Sequence, residues 1–211
     1  MSHRLDGAVR VTGGFVLLSA WFALENGAAA LALTLLAAAA HECGHLAALR
    51  LCGCGVRRVR IGILGAEMET ERSRLRYGAE LFCLLAGPGV NLLLAALLTL
   101  PARTRPGWYA AVGANLTLGA FNLLPIRPLD GGAALELLTA WRFGPAAGER
   151  AARACGALCA AALSAGLLRL IWASGGNLWL LPAAGGLAAA CLKELSGWPG
   201  PRQGRRLRRS L

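Results

Sequence analysis

Long apolar runs constrain the fold of this chain more than any other feature. Trp108–Leu124 contains no charged residue, and Ala79–Leu100 contains only Glu80. A helix needs roughly 20 mostly apolar residues to cross the hydrocarbon core of a bilayer. Hydrophobic residues make up 56% of the 211 residues, charged residues make up 16%, and the mean hydropathy is +0.52. A soluble chain of this size cannot bury so much apolar surface. The sequence therefore predicts an integral membrane protein and excludes a disordered chain.

Clusters of glycine, proline and arginine divide the apolar residues into six predicted transmembrane helices. These are Val11–Leu24, Ala28–Leu51, Ala79–Leu100, Trp108–Leu124, Ala154–Ala173 and Asn177–Leu192. The first run is short and, behind Arg4 and Arg10, also fits a signal peptide; we favour a retained span, because six spans place both termini on one side. Val56–Met68 alternates enough to predict a strand pair. The predicted fold is an all-α polytopic membrane protein of about six transmembrane helices, with a short membrane-associated β-hairpin or strand after the second helix.

The distribution of charge predicts how the chain is oriented. It carries 22 Lys and Arg against 11 Asp and Glu, a net charge of +11. Because cytoplasmic loops of membrane proteins are rich in basic residues, we predict a multi-pass protein of the cytoplasmic membrane with both termini in the cytoplasm. We divide it into a membrane domain, 1–192, and a basic tail, 193–211, which contacts anionic lipid headgroups. A nucleic-acid binder using Arg202–Arg209 is the alternative, but aromatic residues do not interleave with the basic runs, so we expect no nucleic-acid partner.

The most specific motif is HECGH, residues 41–45, inside the second apolar run. Residues four apart share one face of a helix, so His41 and His45 can bind one metal ion. Glu42 lies about 100° around the axis, where it can act on water without binding the metal. This is the HExxH pattern of zinc hydrolases, two ligands and a general base. The alternative is a set of satisfied polar groups, but ionisable clusters inside apolar runs are costly and usually functional.

A third ligand is expected from a carboxylate, because catalytic zinc usually takes three protein ligands. Asp130 follows the fourth apolar run, at the end that the arginine distribution places on the same side as the HECGH motif. The alternative for Asp130 is the N-cap of a helix beginning at Gly131, and both roles can coexist. The rival carboxylates are Glu67, Glu69, Glu71 and Glu80.

Three motifs in this order resemble the site-2 protease family of intramembrane zinc metalloproteases. They are HECGH at 41–45, AGPGVN at 86–91 and NLLPIRPLDGG at 122–132. The resemblance covers roughly residues 28–135, the expected zinc core, and is greatest to the small sporulation branch, which processes a membrane-tethered sigma-factor precursor. It implies a zinc metalloendopeptidase that hydrolyses a peptide bond of a membrane-spanning or membrane-tethered protein, such as a sigma-factor precursor or an anti-sigma factor, in regulated intramembrane proteolysis. A membrane regulatory partner is also implied.

The resemblance also assigns roles to single residues. It implies that His41, His45 and Asp130 bind Zn²⁺ and that Glu42 is the catalytic base. Asn122 matches an asparagine that holds the substrate backbone or polarises the scissile carbonyl; the alternative is a helix-terminal capping amide.

Two further motif positions carry expectations of their own. In the second motif, Gly87 and Pro88 permit close helix approach, and Asn91 is expected to form structural hydrogen bonds. Cys43 departs from the family, which usually has an apolar residue there, and no catalytic role is expected for it.

A metal-binding membrane transporter or scaffold without protease activity is the main alternative function. A transporter would spread polar residues over several spans or show two matching halves. Here polar residues concentrate in the motif-bearing runs, and neither the glutamate nor a predicted ligand is missing. The sequence therefore favours the protease.

Overall fold

The computed structural model describes residues 10–11, 13–54, 56–62, 65–70, 75–127, 129–173, 185–189 and 191–192. The chain divides into two compact units, Met1–Phe121 and Asn122–Leu211. The first unit contains the HECGH motif and the second contains Asp130.

Four helices form most of the first unit. They are α1 (Gly13–Asn26), α2 (Ala28–Leu51), α3 (Tyr77–Ala102) and α4 (Tyr109–Asn122), the last preceded by a 3-10 turn at Pro106–Trp108. Gly27 separates α1 from α2 with a φ of 87°, a conformation that glycine adopts without steric cost. The break at Gly27 therefore ends one apolar helix and starts the next within a single residue.

A small sheet lies in the same unit, with strands β1 (Arg10–Val11), β2 (Val56–Gly62) and β3 (Gly65–Thr70) in that spatial order. β2 and β3 are antiparallel, with Gly62 paired to Gly65 beside the connection. β1 joins the other edge of β2 in parallel, with Val11 opposite Ile61.

Glycines allow α2 and α3 to pack closely. A Cβ on Gly44 would lie 2.7 Å from the backbone oxygen of Ala86, so only glycine fits there. Below this contact Ala48, Leu49 and Cys83 form a buried apolar cluster. The close approach brings the backbone and side chains of α3 within hydrogen-bonding distance of the polar residues of α2.

The second unit contains α5 (Asp130–Phe143) and α6 (Pro145–Ala173). Gly144 connects them with a φ of 91°. Near the start of α6, a Cβ on Gly148 would lie 2.7 Å from the Cβ of Ala140, so the two helices also pack tightly through a glycine.

The prediction of about six transmembrane helices is wrong. In the described part of the chain, three helices, α2, α3 and α6, are long and apolar enough to cross a membrane. α1 and α4 have only 14 residues each, short of the roughly 20 that a span needs. Hydropathy measures composition rather than helix length, and α4 ends at Asn122 although the apolar residues Leu123 and Leu124 follow it.

The sheet also differs from the predicted hairpin or strand pair, because it contains a third strand, β1. Val11, expected to begin the first span, lies in strand β1. The fifth predicted span belongs to a longer helix that begins at Pro145. The sixth predicted span, 177–192, lies mostly outside the described residues, and the predicted tail, 193–211, lies entirely outside them.

Candidate metal centre

Two histidines of α2 face each other inside the first unit. His41 and His45 are only 5% and 6% exposed. Their rings meet edge to face with centroids 4.7 Å apart, and their Nε2 atoms are 3.1 Å apart. The helical spacing that predicted a shared face is therefore confirmed for this pair.

Hydrogen bonds to α3 fix the tautomer of both rings. The Nδ1 of His45 lies 2.7 Å from the backbone oxygen of Cys83, and a carbonyl oxygen can only accept, so Nδ1 carries the proton. The Nδ1 of His41 lies 2.7 Å from Oδ1 of Asn91. The Nδ2 of Asn91 donates to the backbone oxygen of Ala37 at 2.9 Å, which identifies the other amide atom as the oxygen. Both Nδ1 atoms are therefore donors, so the neutral form of each ring presents its lone pair at Nε2.

The geometry fits a shared cation. Two Nε2 lone pairs cannot hydrogen-bond to each other, yet they lie 3.1 Å apart in a buried site. Two ligands about 2.0–2.1 Å from one tetrahedral zinc ion are themselves about 3.3 Å apart. The hydrogen bonds at Nδ1 are the outer partners that metal-binding histidines nearly always have.

Gly87 of α3 leaves room in front of the two rings. A Cβ at this position would lie 2.8 Å from Nε2 of His41 and would also overlap the ring of His45. The predicted role of Gly87 in close helix approach is confirmed. Asn91, which is fully buried and hydrogen-bonded, confirms the structural role predicted for it.

Glu42 and Cys43 follow His41 on α2 but differ in environment. Glu42 is half-buried, whereas Cys43 is exposed. Successive helical residues point about 100° apart, so Glu42 lies beside the face that carries His41 and His45 rather than on it. That position suits a proton acceptor for water near the ligands.

Asp130 is the first residue of α5 in the second unit. The N-cap position belongs to Leu129, so the predicted alternative of Asp130 as N-cap does not describe this helix. The preceding loop turns through backbone hydrogen bonds from Ile126 to Leu124 and from Leu129 to Ile126, each 2.8 Å long. Asp130 is half-buried, at the junction where this loop enters the helix.

Gly131 and Gly132 hold that loop against α5. A Cβ on Gly131 would overlap the backbone of Leu123 and lie 2.6 Å from the oxygen of Leu124. A Cβ on Gly132 would lie 2.6 Å from the carbonyl carbon of Ile126. Asp130 is thus placed by direct backbone contact between the loop and the glycine pair that follows it.

Among the described residues, His41, His45 and Asp130 form the group of histidine, cysteine and acidic side chains that could hold a metal ion. Each contributes one ligand atom, two imidazole nitrogens and one carboxylate oxygen, which is a donor set that suits zinc. Of the rival carboxylates, Glu80 lies in the first turn of α3. Glu67 and Glu69 lie in β3 and Glu71 lies outside the described residues. Asn122 is the half-buried last residue of α4.

Two groups that hydrogen-bond within the site are not predicted by the sequence motifs. One is the backbone oxygen of Cys83, which no side-chain motif can reveal. The other is Asn115, a buried residue of α4 whose Oδ1 accepts a hydrogen bond from Nδ2 of Asn91 at 2.9 Å. The sequence signal for Asn115 is an amide side chain inside an otherwise apolar run.

Comparison with known proteins agrees with this site. Residues 99–165 match the sequence model of peptidase family M50. Proteins from two strains of Mycobacterium tuberculosis, Erdman and H37Rv, both named "Putative zinc metalloprotease Rip3", are 32% identical over 202 residues, covering 85% of this chain and 48% of each relative. The solved structure of the site-2 protease from Methanocaldococcus jannaschii has a TM-score of 0.65 at 20% identity, covering 92% of this chain and 93% of that one.

These comparisons confirm the resemblance to the site-2 proteases that the three motifs predicted. The chain spans about half the length of the curated relatives that it matches. The matched family segment contains Asn122 and Asp130, while the HECGH motif precedes it and is supported by the geometry of α2 and α3. The placement in a sporulation branch stays a prediction.

Proposed function

We propose that this chain, which resembles the site-2 proteases of peptidase family M50 in sequence and fold, is an intramembrane zinc metalloprotease. The observation that carries the proposal is the pair of buried imidazoles on α2, with both Nδ1 atoms hydrogen-bonded to α3 and the two Nε2 atoms 3.1 Å apart. Such a pair inside a helix long enough to cross a membrane supports metal chemistry within the bilayer.

The proposed ligands are His41, His45 and Asp130. Three protein ligands leave one zinc position open, as in other catalytic zinc sites. When bound, zinc acts as a Lewis acid toward water and the peptide carbonyl. The neutral tautomers fixed by Asn91 and Cys83 keep both Nε2 atoms available for binding.

Glu42 is the proposed general base. Its carboxylate takes a proton from the attacking water and later gives that proton to the leaving amine, as one group can do in both halves of peptide hydrolysis. Its position next to His41 but off the ligand face supports this role. Asn122 is proposed, from the family resemblance, to hold the substrate backbone or to polarise the scissile carbonyl.

The proposed substrate is a membrane-spanning or membrane-tethered protein. A substrate helix hides its carbonyls in hydrogen bonds, so it must unwind locally before hydrolysis. A sigma-factor precursor or an anti-sigma factor, cleaved in regulated intramembrane proteolysis, fits the family resemblance. The arginine-rich ends of the chain support a location in the cytoplasmic membrane with both ends on the cytoplasmic side.

Co-expression with candidate single-span substrates tests the proposal. The native chain is expected to cleave at least one of them, and Glu42→Gln is expected to lower cleavage by about 10²–10⁴-fold or more, because glutamine cannot take a proton. Cys43→Leu is the matched control at the next position, where the side chain is exposed, and should retain activity. Near-native cleavage by Glu42→Gln, or loss of cleavage in Cys43→Leu alone, would contradict the mechanism.

A further inference from the structure

Asn115 is a buried amide that the proposed reaction does not use. It lies on α4 at 7% exposure. Its Nδ2 donates to the backbone oxygen of Ala111 at 3.0 Å, and its Oδ1 accepts from Nδ2 of Asn91 at 2.9 Å. We propose that Asn115 is a positioning residue for the zinc ligand His41, acting through Asn91. This inference rests on the proposed zinc site.

Asn91 links three helices through its amide. Its Oδ1 accepts from His41 on α2. Its two Nδ2 hydrogens go to the backbone oxygen of Ala37, also on α2, and to Asn115 on α4, each at 2.9 Å. The residue is 0% exposed, so no bulk water can replace a lost partner. Every hydrogen on this amide therefore has an acceptor supplied by the protein.

The orientation of this amide decides the proton position on His41. With Oδ1 toward the ring, Nδ1 must donate and Nε2 keeps its lone pair for a metal. If the amide rotated by half a turn, Nδ2 would face the ring, Nδ1 would have to accept, and the proton would move to Nε2, which could then no longer bind zinc. The rotated amide would also direct its oxygen toward the two acceptors, the oxygen of Ala37 and Oδ1 of Asn115. Asn115 therefore disfavours the His41 tautomer that carries its proton on Nε2 and cannot bind a metal.

The expected effects follow from this sequence of contacts. Loss of an outer partner of a metal-binding histidine typically weakens metal binding about 10–100-fold, which is the effect expected for Asn91→Ala. Asn115→Ala removes only one of the two acceptors that orient Asn91, so zinc affinity should fall measurably, by up to about tenfold.

A double-mutant cycle on zinc affinity separates positioning from general destabilisation. Zinc dissociation constants are measured by chelator competition on the detergent-purified full chain. If Asn115 acts only through Asn91, the double variant Asn91→Ala with Asn115→Ala should bind zinc no more weakly than Asn91→Ala alone. Additive losses, or native affinity in Asn115→Ala, would overturn the inference. Asn115→Leu replaces the alanine variant if that variant does not accumulate, with the same expectation and the same overturning results.

Ser164→Ala is the matched control. Ser164 is 8% exposed and donates to the backbone oxygen of Ala160 in its own helix, so its loss removes a buried hydrogen bond remote in sequence from the histidines. Its zinc affinity should equal that of the native chain, and a loss as large as that of Asn115→Ala would overturn the positioning role. Absence of zinc binding by the native chain would instead contradict the proposed function, so the two failures are distinguishable.

Discussion

The two regions that supply the proposed zinc ligands hold them in different ways. His41 and His45 are oriented by polar contacts, with hydrogen bonds from Nδ1 to Asn91 and Cys83. The backbone of Asp130 is positioned by close packing, because Gly131 and Gly132 bring the preceding loop onto the first turn of α5. In the histidine region, the contacts determine which ring nitrogen carries the proton and how each ring is oriented. In the aspartate region, they determine where the backbone of Asp130 lies.

This difference has a chemical reason. A histidine binds a metal only through an unprotonated nitrogen, so its partner must fix the tautomer as well as the ring. A carboxylate has two equivalent oxygens and no tautomer to select, so the position of its backbone is the main requirement. Substitutions in the first region should therefore alter metal affinity through hydrogen bonding, and substitutions in the second should act through displacement of the chain.

The largest effect is expected at Gly87, where the backbone of α3 leaves space for the two histidine rings. Gly87→Ala would insert a Cβ against the Nε2 atoms of His41 and His45, so the purified variant should retain no zinc in metal analysis. Gly89→Ala is the matched control on the same helix, because a Cβ there meets nothing within 4 Å. Native zinc content in Gly87→Ala would refute the placement of the rings.

Gly131→Ala should produce the next largest effect. The added Cβ would overlap the backbone of Leu123, so the loop must move and Asp130 must move with it. A displacement of about 1 Å at a catalytic group can cost about 10²-fold in rate, and cleavage in the co-expression assay should fall by at least that factor. Gly166→Ala, where a Cβ meets nothing within 4 Å, should cleave normally. Equal activity of the two variants would show that the glycine contact does not place Asp130.

Asn91→Asp tests the polar region without a change in size. A carboxylate can still accept from His41, but it cannot donate to Ala37 or Asn115, so their oxygens would face an anion. Zinc affinity should fall within the range of about 10–100-fold that outer-partner losses produce. Chelator competition measures it, and an unchanged dissociation constant would show that the direction of the Asn91 amide is unimportant.

The smallest effect is expected from an ion pair beside Asp130. Arg127 Nη1 lies 3.7 Å from Glu136 Oε2, with both side chains partly exposed. Such pairs contribute about 0–1 kcal/mol, so Arg127→Gln should change the thermal midpoint little and leave zinc content unchanged. A large loss of zinc in this variant would mean that the loop depends on polar contacts, as the histidine region does.

Part of the site could be predicted from local spacing alone. His41, Glu42 and His45 lie within five residues of one helix, so helical geometry fixes which of them share a face. The partners that complete the histidines lie far away in sequence, Asn91 by 50 residues and Cys83 by 38. Asn91 was accessible through its motif, whereas Cys83 contributes a backbone oxygen and Asn115 belongs to no motif. Tertiary contacts of this kind leave no periodic signal.

The fold was less predictable than the motif. Apolar composition indicated membrane helices, and α2, α3 and α6 are long enough to span. The helix limits depend instead on backbone features, such as the positive φ at Gly27 and the turn that follows Asn122. Hydropathy averaged along the sequence does not distinguish apolar loop residues from helical ones. The apolar run that contains α4 therefore predicts a transmembrane helix, although α4 itself is too short.

Zinc content of the purified chain tests the central claim most directly. Metal analysis should find about one zinc per native chain, and Glu42→Gln should retain it because Glu42 is assigned to proton transfer. His45→Ala and Asp130→Ala should each lose most of the metal while the chain still inserts into the membrane. Full zinc retention in both ligand variants, or a folded native chain that binds no zinc, would contradict the account.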